Sequence, residues 1–106
     1  MKINIKATNL ELTSSLKTYV EEKIGTVSKL IQKWDMDGGV EAYIEVGRTT
    51  NHHHKGDVFR AEVDLRLPNK VLRAEDENTD LYTAIDKVEN ILKREIDKYK
   101  GSNSVK

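Results

Sequence analysis

The chain has 106 residues, enough to bury one two-layer hydrophobic core without disulfides or metals. It contains no cysteine, so a disulfide framework and a thiolate ligand or nucleophile are both excluded. Eighteen basic residues balance eighteen acidic ones, so any nucleic-acid function depends on where the charges lie. The sequence has neither an apolar run of membrane length nor the apolar core of a signal peptide. We therefore expect no membrane association and a cytoplasmic location.

Apolar and polar residues alternate in four segments, which is typical of half-buried strands. Three of these segments are Lys2–Ala7, Val40–Val46 and Phe59–Leu67. The fourth, Val71–Glu75, is short and follows the turn Pro68-Asn69-Lys70, which predicts a hairpin with the third strand.

A first helix is predicted after the first strand, Lys2–Ala7, with Thr13 as its preferred N-cap. Apolar residues at helical spacing extend it to about Leu30. Gly25 lies in its interior and costs about 1 kcal/mol relative to alanine.

The second helix, Leu81–Tyr99, carries apolar residues at the spacing of an amphipathic helix. The three residues before it, 78–80, are all candidate N-caps, and Asp80 suits the positive end of the helix dipole. Gly101 is the expected C-cap.

The resulting order β-α-β-β-β-α predicts an α+β fold: a four-stranded mixed sheet with two helices packed on one face. A right-handed crossover makes the first two strands parallel, and the others form an antiparallel meander. We expect a single domain over residues 1–100 and a short flexible tail over 101–106. The predicted core contains Val20, Ile44, Phe59, Val63, Leu65, Val88 and Leu92.

One flank of the second helix is predicted to be basic. At about 100° per residue, Lys87, Arg94 and Lys98 fall within about 40° of one another, and we expect no acidic residue among them. Three cations spaced by one or two turns suit a phosphate track, although an ordinary solvated helix face gives the same pattern.

The other basic residues of the helices form weaker groups. On the opposite flank, we expect Glu89 and Asp97 to offset Lys93 and Lys100. Late in the first helix, Lys29 and Lys33 form a similar basic pair, diluted by Glu22.

The polar loop between the second and third strands contains His52–His54. Adjacent loop residues point apart, so at most two histidines could share a metal ion, and no carboxylate or thiol lies nearby at ligand spacing. The loop is either polar and incidentally His-rich or, with Arg48 and Lys55, a phosphate-contacting loop.

No nucleophile triad, phosphate-cradling glycine loop or His-Glu zinc motif is present, so we expect neither an enzyme nor a cofactor. Two RNA modules are also disfavoured. An RNA-recognition sheet needs several aromatics on its open face, where only Tyr43 is available. A double-strand-binding domain has lysines opening its last helix, where this chain has Asn78-Thr79-Asp80.

Several segments resemble a known family. Asp80–Asp86 (DLYTAID) is similar to the D-[ML]-Y-x-A-I-D motif of the ribosome hibernation promoting factors, also called ribosome-associated translation inhibitors. Ala74-Glu75, Val58–Val63, Leu12-Thr13 and Tyr19–Glu21 also match. The resemblance covers residues 1 to about 100, in the same order of elements.

The resemblance implies a non-enzymatic protein, and we expect it to be a monomer off the ribosome. It would dock in the small-subunit channel where messenger and transfer RNA lie, contact ribosomal RNA through basic helix faces and block translation in idle cells. Long members carry a second, dimerising domain; because this chain ends at Lys106, we expect the short form. The rival hypothesis is a protein–protein adaptor of the same fold, using the mixed charges of the open sheet face.

The resemblance also carries over residue by residue. Arg94, Lys98 and Lys100 match basic positions in the family's last helix, whereas Ile91 and Asp97 stand where many relatives have Lys or Arg. This departure implies a weaker basic surface. The candidate RNA-binding residues are Lys87, Arg94, Lys98, Lys100, Lys29, Lys33, Arg48 and Lys55.

The histidine loop gives a first testable prediction. Chelators should leave folding and thermal stability unchanged, because the loop binds no structural metal. Thermal unfolding with and without chelator measures this. Stoichiometric zinc in the purified protein, lost on mutating His52 and His54, would contradict it.

Overall fold

The computed structural model describes residues 1–49 and 56–104, with side chains up to residue 101. Its elements are β1 (Lys2–Thr8), α1 (Ser14–Gly25), a 3-10 segment (Thr26–Trp34), β2 (Glu41–Arg48), β3 (Phe59–Leu67), β4 (Lys70–Asn78) and α2 (Leu81–Ser104). The predicted order of strands and helices is confirmed, and the 3-10 segment is an additional element.

The four strands form one sheet in the order β1-β2-β3-β4. β1 and β2 are parallel and the other two pairings are antiparallel, as predicted. The register aligns Ile5 with Ile44, Ile44 with Val63, and Val63 with Ala74. One face of the sheet is therefore apolar across all four strands.

Both helices cover this apolar face, and a single core connects them to the sheet. Six of the seven predicted core residues are buried: Val20, Ile44, Val63, Leu65, Val88 and Leu92. The prediction for Phe59 is wrong, because its side chain is only half-buried and packs at the margin of the core. Phe59 is the first residue of β3, and its ring centroid lies 5.6 Å from the Arg48 guanidinium at the end of the sheet.

The predicted helix to Leu30 is also wrong: α1 ends at Gly25 and the chain continues as the 3-10 segment. Glycine has low helix propensity, and the Thr26 hydroxyl donates a 2.7 Å hydrogen bond to the Lys23 carbonyl oxygen. At Ile31 the backbone leaves the helical region (φ −119°), although its side chain is fully buried. Burial thus keeps the segment on the core while its backbone geometry changes.

The predicted N-cap Thr13 is confirmed, and of the three candidates before α2, Asp80 caps the helix. Thr13 accepts a 3.1 Å hydrogen bond from the Leu16 amide, and Asp80 accepts one of 3.1 Å from the Thr83 amide. The prediction that Gly101 caps α2 is wrong, since the helix continues to Ser104.

Several other element boundaries differ from the sequence expectation, most of them by one or two residues, and the C-terminal ends of β4 and α2 differ by more. β4 continues to Asn78, beyond the predicted end at Glu75. Residues 101–104 of the expected tail are helical, and residues 105 and 106 lie outside the described part of the chain.

α1 and α2 lie side by side and run in the same direction. The Tyr19 and Tyr82 rings meet edge to face with centroids 4.7 Å apart, and the Trp34 and Tyr99 centroids lie 5.3 Å apart. Residues later in the α1–3-10 unit therefore contact residues later in α2, as expected for two parallel helical units.

Polar bonds join the same two units between these aromatic pairs. The Tyr19 hydroxyl donates a 2.5 Å hydrogen bond to Asp86, whose carboxylate also lies 3.4 Å from the Lys23 ammonium. The Thr26 hydroxyl lies 2.5 Å from the carboxylate of Glu89, which is buried. We call this row of contacts between the two units the helix seam.

Truncating Leu92 to Ala should lower the free energy of unfolding by about 2–5 kcal/mol, because this residue of α2 is fully buried in the core. Denaturant titration measures the loss. N90A changes an exposed residue of the same helix and serves as the control. An equal, small effect from both variants would contradict the packing described here.

Tyr19 gives a prediction about pH. The hydrogen bond to Asp86, then burial and the nearby negative charges, raise the pKa of Tyr19 from its ordinary 10.0 to about 12. The folded protein holds this proton more tightly than the unfolded chain. The stabilisation is therefore fully present below pH 10.0 and is lost as the pH rises through about 12.

The advantage of the wild type over Y19F in free energy of unfolding should accordingly shrink across this alkaline range. D86N, which removes the charged acceptor, should lower the pKa of Tyr19 in a spectrophotometric titration. An unchanged pKa in D86N would refute the role of this hydrogen bond.

Candidate nucleic-acid interface

The outer face of α2 points away from the sheet and carries exposed basic residues. Lys87, Asn90, Lys93 and Arg94 line one shallow groove there. Within residues 1–49 and 56–104, neither Lys87 nor Arg94 forms an ion pair. These two cations are available to an incoming anion.

Lys98, the third member of the predicted flank, differs from the expectation. Its ammonium lies 3.3 Å from the carboxylate of Glu95, so the flank is not free of acidic residues. Side chains three residues apart on a helix are neighbours, and this pair spans that spacing. The Lys98 side chain is 78% exposed, so water screens the pair and the offset is partial.

The opposite flank agrees with the expectation at one position and not at the other. Lys93 lies 3.1 Å from Glu89, as expected. Among the described residues, Asp97 forms no ion pair with Lys93 or Lys100. Lys100 therefore keeps its charge unpaired within this part of the chain.

Lys100 lines the same surface groove as the basic pair Lys29 and Lys33. This second groove, which we call the end groove, lies between the 3-10 segment and the C-terminal part of α2. It is lined by Lys29, Leu30, Gln32, Lys33, Lys100 and Gly101. Three candidate residues that are up to 71 positions apart in sequence thus share one site.

An aromatic contact holds the two sides of the end groove together. Trp34 packs on Tyr99, and the Lys33 ammonium lies 4.7 Å from the centroid of the Trp34 ring. The periodicity of the sequence does not indicate this role of Trp34, because the contact joins residues 65 positions apart.

The remaining candidates do not join these grooves. Arg48 lies at the end of β2, where it pairs with Asp57 at 3.8 Å and covers the Phe59 ring. Lys55 and His52–His54 lie outside the described residues, so the two interpretations of that loop stay open.

Two arginines on the open face of the sheet form ion pairs with carboxylates of the same face. Arg60 binds Glu62 and Glu75, and the hydrogen bond to Glu75 raises the pKa of Arg60. Arg73 pairs with Asp64 at 3.2 Å.

Tyr43, the candidate aromatic of this face, is also engaged. The Arg66 guanidinium lies 4.2 Å from its ring centroid. Its hydroxyl donates a 3.0 Å hydrogen bond to Glu41. This face offers neither free arginines nor an uncovered ring for stacking.

The described ranges, 1–49 and 56–104, lack a metal-binding cluster and a membrane-spanning helix. No group of three or more His, Asp or Glu side chains is placed to hold a metal ion. Neither helix there has the length and apolar character needed to cross a membrane.

Solved structures share this fold. The Thermus thermophilus Protein Y N-terminal domain superposes with a TM-score of 0.74 at 27% identity, covering 93% of this chain and 99% of that one. A ribosomal subunit interface protein from Coxiella burnetii gives a TM-score of 0.75 at 16% identity over 95% of this chain and 99% of that one, a likeness of fold alone.

Curated relatives carry the name ribosome hibernation promotion factor. The protein from Lactococcus lactis is 41% identical over 94% of this chain and 50% of its own length. The Staphylococcus aureus protein is 36% identical over 94% of this chain and 48% of its own length. This chain therefore spans about half the length of the curated relatives it matches.

The sequence model of one protein family matches residues 3–104, nearly the whole chain. This match and the named relatives confirm the resemblance drawn from the DLYTAID segment. The chain belongs to the family described as Sigma 54 modulation protein / S30EA ribosomal protein.

Proposed function

We propose that the protein is a ribosome-binding translation inhibitor. It occupies the messenger and transfer RNA channel of the small subunit, contacts ribosomal RNA with its helix layer and excludes the translation substrates sterically. The proposal is supported by family membership and by relatives named ribosome hibernation promotion factor.

The distribution of unpaired charge is the observation that carries the proposal. On the helix side, Lys87 and Arg94 lack ion-pair partners among the described residues, as do the three lysines of the end groove. On the sheet side, Arg60 and Arg73 are paired with carboxylates, and among the described residues of that side only Lys2, Lys6 and Arg66 have no carboxylate partner. In a chain of zero net charge, the helix side thus presents the larger group of cations able to bind phosphates.

Inhibition by occupancy needs no catalytic group. Phosphate contacts by Lys and Arg give affinity and fix orientation without reading sequence. The rigid two-layer fold then fills space that messenger or transfer RNA requires. Because the phosphate contacts are electrostatic, binding should weaken steeply as salt rises.

The outer face of α2 supplies the test. K87A/R94A removes two cations that have no partner among the described residues, without touching the core. The slope of log affinity against log salt should flatten by about 0.7–0.9 per lost contact. Co-sedimentation with small subunits at several salt concentrations measures this slope, and competition with transfer RNA tests occupancy of the channel.

The matched control is K2A/K6A, which removes two exposed lysines from the open face of β1 and changes the net charge equally. Equal losses from both variants would indicate general charge attraction instead of a docking face. Ribosome binding that is absent, or unaffected by K87A/R94A, would favour the protein–protein adaptor.

A further inference from the structure

The outer edge of β1 has backbone groups that the sheet does not use. Within the described part of the chain, β1 pairs only with β2. The Lys2 amide donates a 3.1 Å hydrogen bond to the Val40 carbonyl oxygen, so the N–H and C=O groups of Lys2 point toward β2. These groups change direction from one residue to the next along a strand. The backbone groups of Ile3, Ile5 and Ala7 therefore point outward, away from the sheet.

The side chains of these three residues are also incompletely covered. Ile3, Ile5 and Ala7 lie on the apolar face of the sheet but are only partly buried. Their register partners on β2 are all buried: Ala42, Ile44 and Val46. α2 packs mainly on β4 and β3, at the other side of the sheet. A further strand beside β1 would pair the outward backbone groups and bury the remaining apolar surface.

The opposite edge of the sheet, β4, lacks these properties. Its core-facing side chains Leu72 and Ala74 are already buried. The next core-facing residue is Asp76, whose carboxylate oxygen Oδ2 is buried and has no hydrogen-bond partner in the described part of the chain. A charge that points inward from an edge strand opposes the addition of another strand. β1 is therefore the edge that favours strand addition.

The open-face side of β1 determines which charge a further strand should carry. Lys2 and Lys6 are exposed there, and neither forms an ion pair within residues 1–49 and 56–104. Glu41 and Glu45 lie opposite them on β2 but accept hydrogen bonds from hydroxyl groups of other side chains. Carboxylates on a strand at the outer side would be cross-strand neighbours of the two ammonium groups.

The same lysines argue against a second copy of this chain as the occupant. β1 has the sequence KINIKAT, which contains no acidic residue. Pairing two copies edge to edge would gather the lysines of both on one face without a carboxylate from either β1. Like charges on paired strands are destabilising, and edge lysines are a common protection against self-association. The charge pattern thus favours a different, acidic strand.

We propose that the outer edge of β1 binds an extended acidic segment of a partner protein by β-strand addition. The apolar side chains of this segment lie against Ile3, Ile5 and Ala7, and its carboxylates lie beside Lys2 and Lys6. Main-chain hydrogen bonds give affinity in this type of recognition, and the alternating side chains give specificity. The edge of β1 and the outer face of α2 are separate surfaces, so the proposal does not rest on ribosome binding.

Residue-resolved hydrogen exchange of the whole protein tests the strand addition. The probe is an end-blocked peptide of alternating glutamate and valine, seven residues long to match β1. In the free protein, the amides of Ile3, Ile5 and Ala7 should exchange faster than those of Asn4 and Lys6, which point toward β2. With peptide at about ten times its Kd, exchange at the three outward amides should slow about tenfold. The other two should be unchanged.

The charge-swap variant K2E/K6E tests the chemistry of the partner. It should bind the glutamate–valine peptide about tenfold more weakly than the wild type, because two exposed ion pairs are lost. It should instead bind a lysine–valine peptide of the same length, which the wild type should not bind. The matched control K17E/K70E makes the same charge change at two exposed lysines outside β1 and should bind as the wild type does. Fluorescence anisotropy of labelled peptides measures affinity, and circular dichroism checks folding.

Each alternative predicts a different result. Peptide binding that leaves exchange at the three outward amides unchanged would overturn strand addition and indicate side-chain attraction alone. Equal affinities of K2E/K6E and K17E/K70E would overturn the choice of an acidic partner. Slow exchange at these amides in a free protein that sediments as a dimer would assign the edge to a second copy. No binding by the wild type would overturn the site. Ribosomes are absent from these experiments, so failure here leaves the proposed function standing.

Discussion

The packing of α2 on the sheet is the constraint on which the rest of the structure depends. Leu92 and Ile96 are fully buried and anchor the helix on the apolar face. Once that stripe is fixed inward, residues on the opposite side of the helix must face solvent. Lys87 and Arg94 owe their exposure to this geometry, so the proposed docking face follows directly from the hydrophobic core.

The helix seam adds an electrostatic consequence to this packing. Asp86 and Glu89 are the carboxylates of α2 nearest to Lys87 in sequence, and both form bonds to the first helical region. Tyr19 and Lys23 contact Asp86, and Thr26 contacts Glu89. The charge of Asp86 is therefore directed into the seam, whereas Glu89 also pairs with Lys93 of the outer groove at 3.1 Å.

The two faces of the domain are thus different in kind, although the net charge is zero. On the open face of the sheet, Arg60 and Arg73 are paired with carboxylates, whereas Lys2 and Lys6 have no ion-pair partner among the described residues. The helix layer leaves several cations unpaired among the described residues, and two of its segments share the end groove. Such local asymmetry directs an RNA-binding protein to one orientation without the nonspecific attraction that a strongly basic chain would have.

The sequence by itself determined the elements, their order, the caps at Thr13 and Asp80 and most of the core, because these depend on local periodicity and on bonds between near neighbours. It also identified the family through the DLYTAID segment.

The sequence did not reveal the change to 3-10 geometry after Gly25. Within that segment, Ile31 leaves the helical region of backbone conformation while its side chain stays buried in the core. Nor did the sequence reveal the Lys98–Glu95 pair, which depends on side-chain conformation. Only the tertiary structure brought Lys29 and Lys33 to Lys100, because that meeting depends on how Trp34 packs on Tyr99 across 65 residues of chain. Periodicity shows which side of a segment is buried; the packing of the whole core decides which segments become neighbours.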